Sequence, residues 1–260
     1  MNAFATQMAH VEGRVQISAL MLNQTITGIV QKRDHVGGCL MILSDHAFGS
    51  ALLSWFRHRD LASTRQWLYA AFRLDQTRYR WIKDTDAPMA RAGLLVKPLV
   101  SNCLGLIRWF AECDDGYDLK RVEDVRTWDY LGYQAPLALR GDWDQLAQRS
   151  LTAVDYLSAT KNKIKYFADQ EFFLALAQQN RAGMEAALER LTQPRLVRSR
   201  SNQEHGLAEN LISTAAVAYA KIAWLHGHEV QVNSPLVPAE WLPMEPLPQY
   251  EKQYAFLPPP

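Results

Sequence analysis

The placement of proline constrains the fold of this chain more than any other sequence feature. Proline removes a helical hydrogen-bond donor and clashes with the preceding turn of a helix. Only four prolines precede residue 235, whereas eight crowd the tail from there to the C-terminus: Pro235, Pro238, Pro243, Pro246, Pro248, Pro258, Pro259 and Pro260. The body of the chain can therefore form a long series of helices, but the tail cannot be helical over any length.

The body also shows the spacing of apolar side chains that is typical of helices, with repeats of three and four residues. This spacing is clearest in residues 203–226, and Gly227 follows as a natural C-cap because glycine tolerates the left-handed conformation. Residues 165–191 carry two such patterns, separated by Asn180 and Gly183. We interpret them as two helices with a tight join, with one kinked helix as the alternative.

Other helices are predicted from weaker signals. Asp142 and Gln145 have the spacing of a capping box and predict a helix that runs to about residue 157. Further helices are predicted at 14–31, 37–57, 60–83, 92–111 and 128–140. Residues 229–233 alternate like a strand, but this pentapeptide is too short to found a sheet, so we interpret it as extended chain.

These patterns together predict an all-α protein. We expect an irregular array of antiparallel helix pairs, similar to a helical repeat, with an extended proline-rich C-terminal tail. The predicted organisation is a single α-helical domain over residues 1–227 and a strap over residues 228–260 that packs on the helices.

Composition and charge exclude several classes of protein. The net charge is +1, so the chain lacks the overall basic field that concentrates nucleic acid. Cys39, Cys103 and Cys113 are too few and too widely spaced for a disulfide framework. We find no secretory signal pattern and no clean apolar run of the length a membrane span needs, which is about 18–20 residues. We therefore expect a cytoplasmic protein.

The usual catalytic and cofactor motifs are absent from the sequence, including GxGxxG, GxxxxGK[ST], GxSxG and HExxH. His226 and His228 could bind a metal together with Glu229 or His205, but their spacing matches no known ligand set. Imidazoles at a helix C-terminus are also favoured there by the helix dipole. We expect no catalytic residues, no bound metal and no cofactor.

Carboxylates cluster between residues 112 and 129, where seven acidic residues face three basic ones. We interpret the segment DDGYD as a solvated loop after a helix. Its exposed acids could meet a basic protein partner, because complementary charge directs and accelerates association. The residues predicted to bind such a partner are Glu112, Asp114, Asp115 and Asp118. A metal-dependent hydrolase that uses Asp114, Asp115 and His226 is the enzymatic alternative.

Basic residues also gather beside tryptophans between residues 55 and 83. Such a combination can bind single-stranded nucleic acid. However, Asp60 and Asp75 lie among them and Asp84 and Asp86 directly after them, so we favour an ordinary charged helix face. We predict no direct contact with nucleic acid and no contact with a membrane.

The last quarter of the chain carries a recognisable pattern. A helix rich in small residues, Ile212 to Trp224, is followed by Gly227 and by Val230 with Val232. The segment from Ser234 to Pro238 and the apolar pair Trp241 and Leu242 come after them. This order resembles the C-terminal signature of the immunity protein 49 family of bacterial polymorphic toxin systems. The helix pair within residues 165–191 is also similar to the segment before that signature, so the resemblance covers about residues 165–257.

The resemblance implies an all-α, non-enzymatic antitoxin that binds and neutralises a cognate protein toxin. Toxins of these systems are often nucleases, commonly delivered by contact-dependent or type VI secretion, and the family has no catalytic residues to carry over. The resemblance thus implies an immunity protein that occludes the active site or substrate cleft of its toxin. A helical scaffold or adaptor unrelated to toxins is the alternative.

Overall fold

The computed structural model describes residues 3–32, 35–81, 95–114, 117–160, 165–200 and 206–258. Within these ranges the chain is helical and contains no strand, so the all-α prediction is confirmed. The chain forms two compact units. The first holds Met1–Thr85, Lys97–Leu106 and Glu245–Pro260, and the second holds Asp86–Val96 and Ile107–Met244.

The first unit is built on three long helices. They are followed by one short helix and the start of a further helix, which continues into the second unit. α2 lies between α1 and α3 and buries one side against each of them. The helices are α1 (Ala3–Val30), α2 (Val36–His58), α3 (Leu61–Trp81), α4 (Val96–Ser101) and α5 (Leu104–Glu112).

The turn between α2 and α3 is held by hydrogen bonds at both of its ends. Arg59 adopts a left-handed conformation with a φ of 53°, and the N–H of Asp60 donates to the carbonyl of Ser54. The Asp60 carboxylate accepts hydrogen bonds from the N–H and the hydroxyl of Ser63, which cap α3 and lower the pKa of Asp60. The sequence predicted both helices within three residues of their observed ends.

Among the described residues, α2 is the one helix long and apolar enough to cross a membrane by length and composition. More than half of that apolar stretch is buried inside the protein. Leu40, Leu43 and Leu52 are completely buried, as expected for the central helix of a packed unit. Its apolar character is therefore explained by its burial between α1 and α3.

The second unit continues from α5 with shorter helices. α10 packs against α9 and α11 and forms the middle of this unit. The helices are α6 (Leu119–Val122), α7 (Trp128–Gly132), α8 (Gln134–Arg140), α9 (Trp143–Ser158), α10 (Phe167–Ala177), α11 (Arg181–Leu191), α12 (Pro194–Ser199) and α13 (Thr214–Leu225), with a 3₁₀ turn at Ala239–Trp241.

The predicted pair of helices in residues 165–191 is present as α10 and α11. Asn180 caps α11 by accepting a hydrogen bond from the N–H of Gly183. A Cβ atom on Gly183 would lie only 2.9 Å from the Cβ of Ala175, so the absence of a side chain allows the two helices to approach closely. Phe172 and Phe173 then pack against the ring of Tyr219 on α13, which places α13 beside α10.

The helix predicted over residues 203–226 is shorter than expected. α13 begins only at Thr214, because Ser213 caps it with its side chain and donates its own N–H to the carbonyl of Leu236. Its end agrees with the prediction. Gly227 has a φ of 81°, and the N–H of His228 donates to the carbonyl of Ala223, which is the Schellman arrangement.

Three other predicted elements also differ. The helix predicted over 92–111 is divided into α4 and α5 at Asn102, which has a φ of 59° and donates its side-chain amide to the carbonyl of Glu245. The helix predicted over 14–31 begins earlier, at Ala3. The helix predicted over 128–140 is divided at Tyr133 into α7 and α8.

The tail is extended, as its prolines require. Residues 228–244 lie against α13, where the buried ammonium of Lys221 donates to the carbonyls of Leu242 and Pro243. Residues from 245 onward contact the first unit, where Tyr250 donates its hydroxyl hydrogen to the carbonyl of Ser101. Each unit therefore takes a part of the segment that follows residue 227. The predicted division into a domain and a strap stays a prediction.

Two histidines, His46 in the interior and the partly buried His226, are expected to make stability depend on pH. Burial lowers the pKa of His46, whose Nδ1 lies 2.7 Å from the Ser18 hydroxyl, and of His226, whose ring packs edge-on against Trp143. The unfolded chain therefore binds more protons than the folded protein just below pH 6.5, the ordinary pKa of histidine. The free energy of unfolding is expected to fall as pH drops through this window.

Urea denaturation at pH 7.5 and at pH 5.5 measures this loss, with the pH values chosen as roughly one unit on either side of the ordinary histidine pKa. The matched control is the double variant His46→Gln, His226→Gln, in which the same measurement should show a smaller difference between the two pH values. An equally large difference in the variant would assign the pH dependence to other groups.

Candidate functional site

Three of the four acids predicted to bind a partner are described, and they lie between the end of α5 and the start of α6. Glu112 is exposed at the end of α5, and Asp114 follows it with about half of its side chain exposed. Asp118 is exposed at the N-terminus of α6. Asp115 lies outside the residues that the structure describes. The DDGYD loop, where described, follows a helix as expected.

The Asp114 carboxylate is part of a hydrogen-bond network. It accepts hydrogen bonds from the Tyr133 hydroxyl at 3.2 Å and from Nη1 of Arg140 at 3.4 Å. The same arginine donates from Nε to the Asp142 carboxylate at 2.8 Å and from Nη1 to the carbonyl of Ala111. One guanidinium is therefore shared by two carboxylates at the end of α5, and the group retains a net negative charge.

Gly141 forms the turn between Arg140 and Asp142. Its φ of 77° is left-handed, which favours glycine, and it ends α8 directly after Arg140. Asp142 then precedes α9, as predicted, but its carboxylate turns back to Arg140 rather than serving as the predicted cap. The interaction of Asp142 with Arg140 is the part of the site that the capping-box interpretation missed.

Asp118 has a structural role in addition to its charge. Its carboxylate accepts hydrogen bonds from the N–H groups of Lys120 and Arg121 and so caps α6. The neighbouring Tyr117 ring packs edge-on against Tyr133, whose hydroxyl contacts Asp114. Asp118 therefore directly follows a residue that packs on the tyrosine in contact with Asp114. We call Glu112, Asp114, Asp118 and Asp142 the acidic patch.

The remaining acids of the 112–129 cluster are divided between surface and interior. Asp124 forms an exposed ion pair with Arg126, and Asp129 is buried with an oxygen 3.1 Å from Arg121. Glu123 is 74% exposed and lies 3.5 Å from the largely buried Arg149. The run of acids in the sequence therefore contains both surface charge and a buried carboxylate that is paired within the segment itself.

The described residues give no support to the metal-site alternatives. Within the described ranges, no group of three or more His, Cys, Asp or Glu side chains is placed to hold a metal ion. Asp114 pairs with Arg140, and His226 packs on Trp143. His205, which the histidine hypothesis also used, lies outside the described residues.

The basic residues near the tryptophans are largely used within the first unit. Arg65 and Arg73 are buried, with exposed fractions of 6% and 3%. Arg73 donates to the carbonyl of Pro258, and Arg57 pairs with Glu12. These contacts favour the interpretation as an ordinary part of a helical fold over a surface for nucleic acid.

A family model described as immunity protein 49 matches residues 106–241, which is just over half of the chain. The chain belongs to the immunity protein 49 family. The resemblance found in the C-terminal part of the sequence is thereby confirmed. No curated protein and no solved structure matches the chain.

The immunity protein 49 match has two consequences for the site. Its limits nearly coincide with the longer segment of the second unit, Ile107–Met244, so the family's characteristic sequence corresponds to that unit. The acidic patch lies wholly inside the match. Membership of this family makes the protein an immunity protein against a toxin and favours a non-enzymatic inhibitor.

Proposed function

We propose that this immunity protein neutralises a nuclease toxin by covering its substrate cleft with the acidic patch. The observation that carries the proposal is the sharing of Arg140 between Asp114 and Asp142, with Glu112 exposed beside them. Most exposed carboxylates of globular proteins are simply solvated. Here two carboxylates share one cation, which leaves an excess of negative charge within the family's characteristic region.

The physical basis is a match of charge. A nuclease binds the phosphate backbone of its substrate, so its cleft carries lysine and arginine side chains. Carboxylates can occupy the positions of the phosphates, and the opposite charges accelerate the encounter of the two proteins. Binding of this kind weakens as salt rises, because ions screen exposed charges. The protein acts by occlusion and needs no catalytic group of its own.

The bacterial cytoplasm is the proposed place of toxin neutralisation. A nuclease delivered into the cell by type VI or contact-dependent secretion meets its substrate in the bacterial cytoplasm. The immunity protein would therefore act in the cytoplasm, against the toxin that the same cell produces. The first test is co-purification with the product of the adjacent gene, followed by rescue of cells that express that product. An adaptor unrelated to toxins would give neither result.

Charge removal tests the acidic patch itself. The variant carries Glu112→Gln, Asp114→Asn, Asp118→Asn and Asp142→Asn, which remove four charges at nearly constant volume. Asparagine is as good an N-cap as aspartate, so α6 should retain its cap. We expect the affinity for the toxin to fall by about 10- to 100-fold, mainly through slower association, and its salt dependence to become shallower.

The matched control removes exposed acids of the same unit outside the patch, by Glu189→Gln and Glu209→Gln. It should bind the toxin as the unaltered protein does. Titration calorimetry gives the affinities, and circular dichroism verifies that both variants are folded. If the patch variant keeps its affinity and its salt dependence, the acidic patch is not the toxin-binding surface.

A further inference from the structure

A polar cavity of about 600 Å³ opens beside the segment that follows α6. It lies between that segment and α9, within the region matched by the family. Its lining includes Lys120, Glu123, Gln148 and Arg149. Asp118 of the acidic patch lies two residues before Lys120, so this part of the patch and the cavity belong to the same short segment.

Arg149 is the unusual member of this lining. Its side chain is only 7% exposed, and its guanidinium lies over the Tyr130 ring, with 4.0 Å between the guanidinium carbon and the ring centroid. Nη2 donates to the carbonyl of Val122 at 2.6 Å. Within the described residues, Nε is buried and has no hydrogen-bond partner. The arginine thus fastens the segment after α6 to α9.

The positive charge of Arg149 is poorly compensated. Glu123 is the carboxylate that pairs with it, but the two side chains are 3.5 Å apart and that of Glu123 is 74% exposed. Burial lowers the pKa of Arg149, which means that the environment disfavours its charged form. A buried charge normally requires a close partner. The site therefore lacks one well-placed carboxylate.

The summed charge of the side chains that line the cavity also favours a carboxylate as the ligand. Lys120, Arg126 and Arg149 oppose Glu123 and Asp124, which leaves one net positive charge. A single carboxylate group balances this charge, and a volume of 600 Å³ is ample for the side chain of aspartate or glutamate. A phosphate group carries two negative charges, which is more than the single positive charge of the lining.

We infer that this cavity receives an acidic side chain of the bound toxin, which pairs with Lys120 and Arg149. The inference rests on the proposed function, because it assumes that the toxin docks on this face. It predicts a toxin surface in which basic residues meet the acidic patch and one acidic residue lies beside them. Such alternation fixes the orientation of the complex and rejects toxins that lack the acid.

Three variants test the cavity without touching Arg149, whose loss would loosen the segment. Lys120→Glu reverses an exposed charge at the mouth, and Gln148→Trp fills the cavity from an exposed position on α9. Each should weaken toxin binding by about tenfold or more, the effect typical of a close interfacial charge pair. Glu123→Gln removes the acid that competes for Arg149 and should instead tighten binding, by about two- to threefold.

The sign of the Glu123 effect separates this inference from simple attraction by acids, under which Glu123→Gln would weaken binding. Matched controls are Lys252→Glu for charge and Ala186→Trp for bulk, both at exposed positions outside the cavity. Both should bind with unaltered affinity. Exposed acids of the toxin are then changed to lysine one at a time, and one such change should restore binding to Lys120→Glu.

The outcomes are distinguishable. If Lys120→Glu and Gln148→Trp bind normally while the acidic-patch variant loses affinity, the inference is overturned and the proposed function stands. The inference is also overturned if Glu123→Gln weakens binding, or if no charge reversal on the toxin rescues Lys120→Glu. If the unaltered protein does not bind the adjacent-gene product at all, the proposed function fails, and the inference fails with it.

Discussion

Replacement of Asp169 by alanine is expected to lower the free energy of unfolding by about 3–5 kcal/mol, the usual cost of breaking a buried ion pair. The carboxylate accepts two hydrogen bonds from Arg200, at 2.6 Å and 2.9 Å, and a third from the Tyr219 hydroxyl at 2.7 Å. The side chains of Asp169 and Arg200 are only 6% and 8% exposed. Alanine would remove the charge that balances the buried guanidinium.

The three partners come from α10, from the end of α12 and from α13, so this carboxylate joins three elements of the second unit. Tyr219→Phe removes one hydrogen bond and should cost about 1 kcal/mol. The double variant Asp169→Leu, Arg200→Met removes both charges and should regain much of the loss. Denaturation in urea measures all three. A loss in Asp169→Ala no larger than that in Tyr219→Phe would contradict the prediction.

Signals confined to a few neighbouring residues were the ones that predicted the fold correctly. Asn180 and Gly183 predicted the join between α10 and α11, and Gly227 predicted the end of α13. In each case the hydrogen bonds that decide the conformation run between residues at most five positions apart. Proline placement predicted the extended tail for the same reason, because proline acts on its own turn.

Elements that depend on distant contacts were predicted less well. The start of α13 is set partly by the hydrogen bond from the N–H of Ser213 to Leu236, a partner more than twenty residues away. The break between α4 and α5 at Asn102 accompanies a hydrogen bond to the carbonyl of Glu245, which lies 143 positions later in the sequence. Neither partner can be recognised from helical periodicity, which continues through both positions.

The candidate site shows the same limit. A run of acids in the sequence pointed to Glu112, Asp114 and Asp118, but it could not reveal that Asp114 shares a cation with Asp142. That geometry depends on Arg140, which lies 26 positions after Asp114. Spacing alone also could not separate the exposed acids from Asp129, which is buried in an ion pair. Residue types predicted the charge, and the fold determined which charges remain at the surface.

A buried ion pair in the first unit provides the second large effect. Lys97 interrupts the apolar stretch 92–110 of the sequence. The structure places its ammonium 2.6 Å from the Asp75 carboxylate and 2.9 Å from the Ser44 hydroxyl, above the Phe48 ring. The side chains of Lys97 and Asp75 are only 2% and 8% exposed. The charge that breaks the apolar stretch is therefore matched inside the core.

Asp75→Ala should lower the free energy of unfolding by about 3–5 kcal/mol, because it leaves a buried ammonium without its counterion. Lys97→Met should cost a similar amount, because it leaves the buried Asp75 carboxylate without its cation. Ser44→Ala removes the hydrogen bonds of the hydroxyl with Lys97 and with the carbonyl of Ala71, and should cost about 1–2 kcal/mol. The double variant Asp75→Leu, Lys97→Met should recover most of the loss, since apolar pairs of similar volume replace buried ion pairs well. Urea denaturation of the four variants tests this. If the double variant is as unstable as the sum of the two single variants, the cost arises from lost packing and not from an unpaired charge.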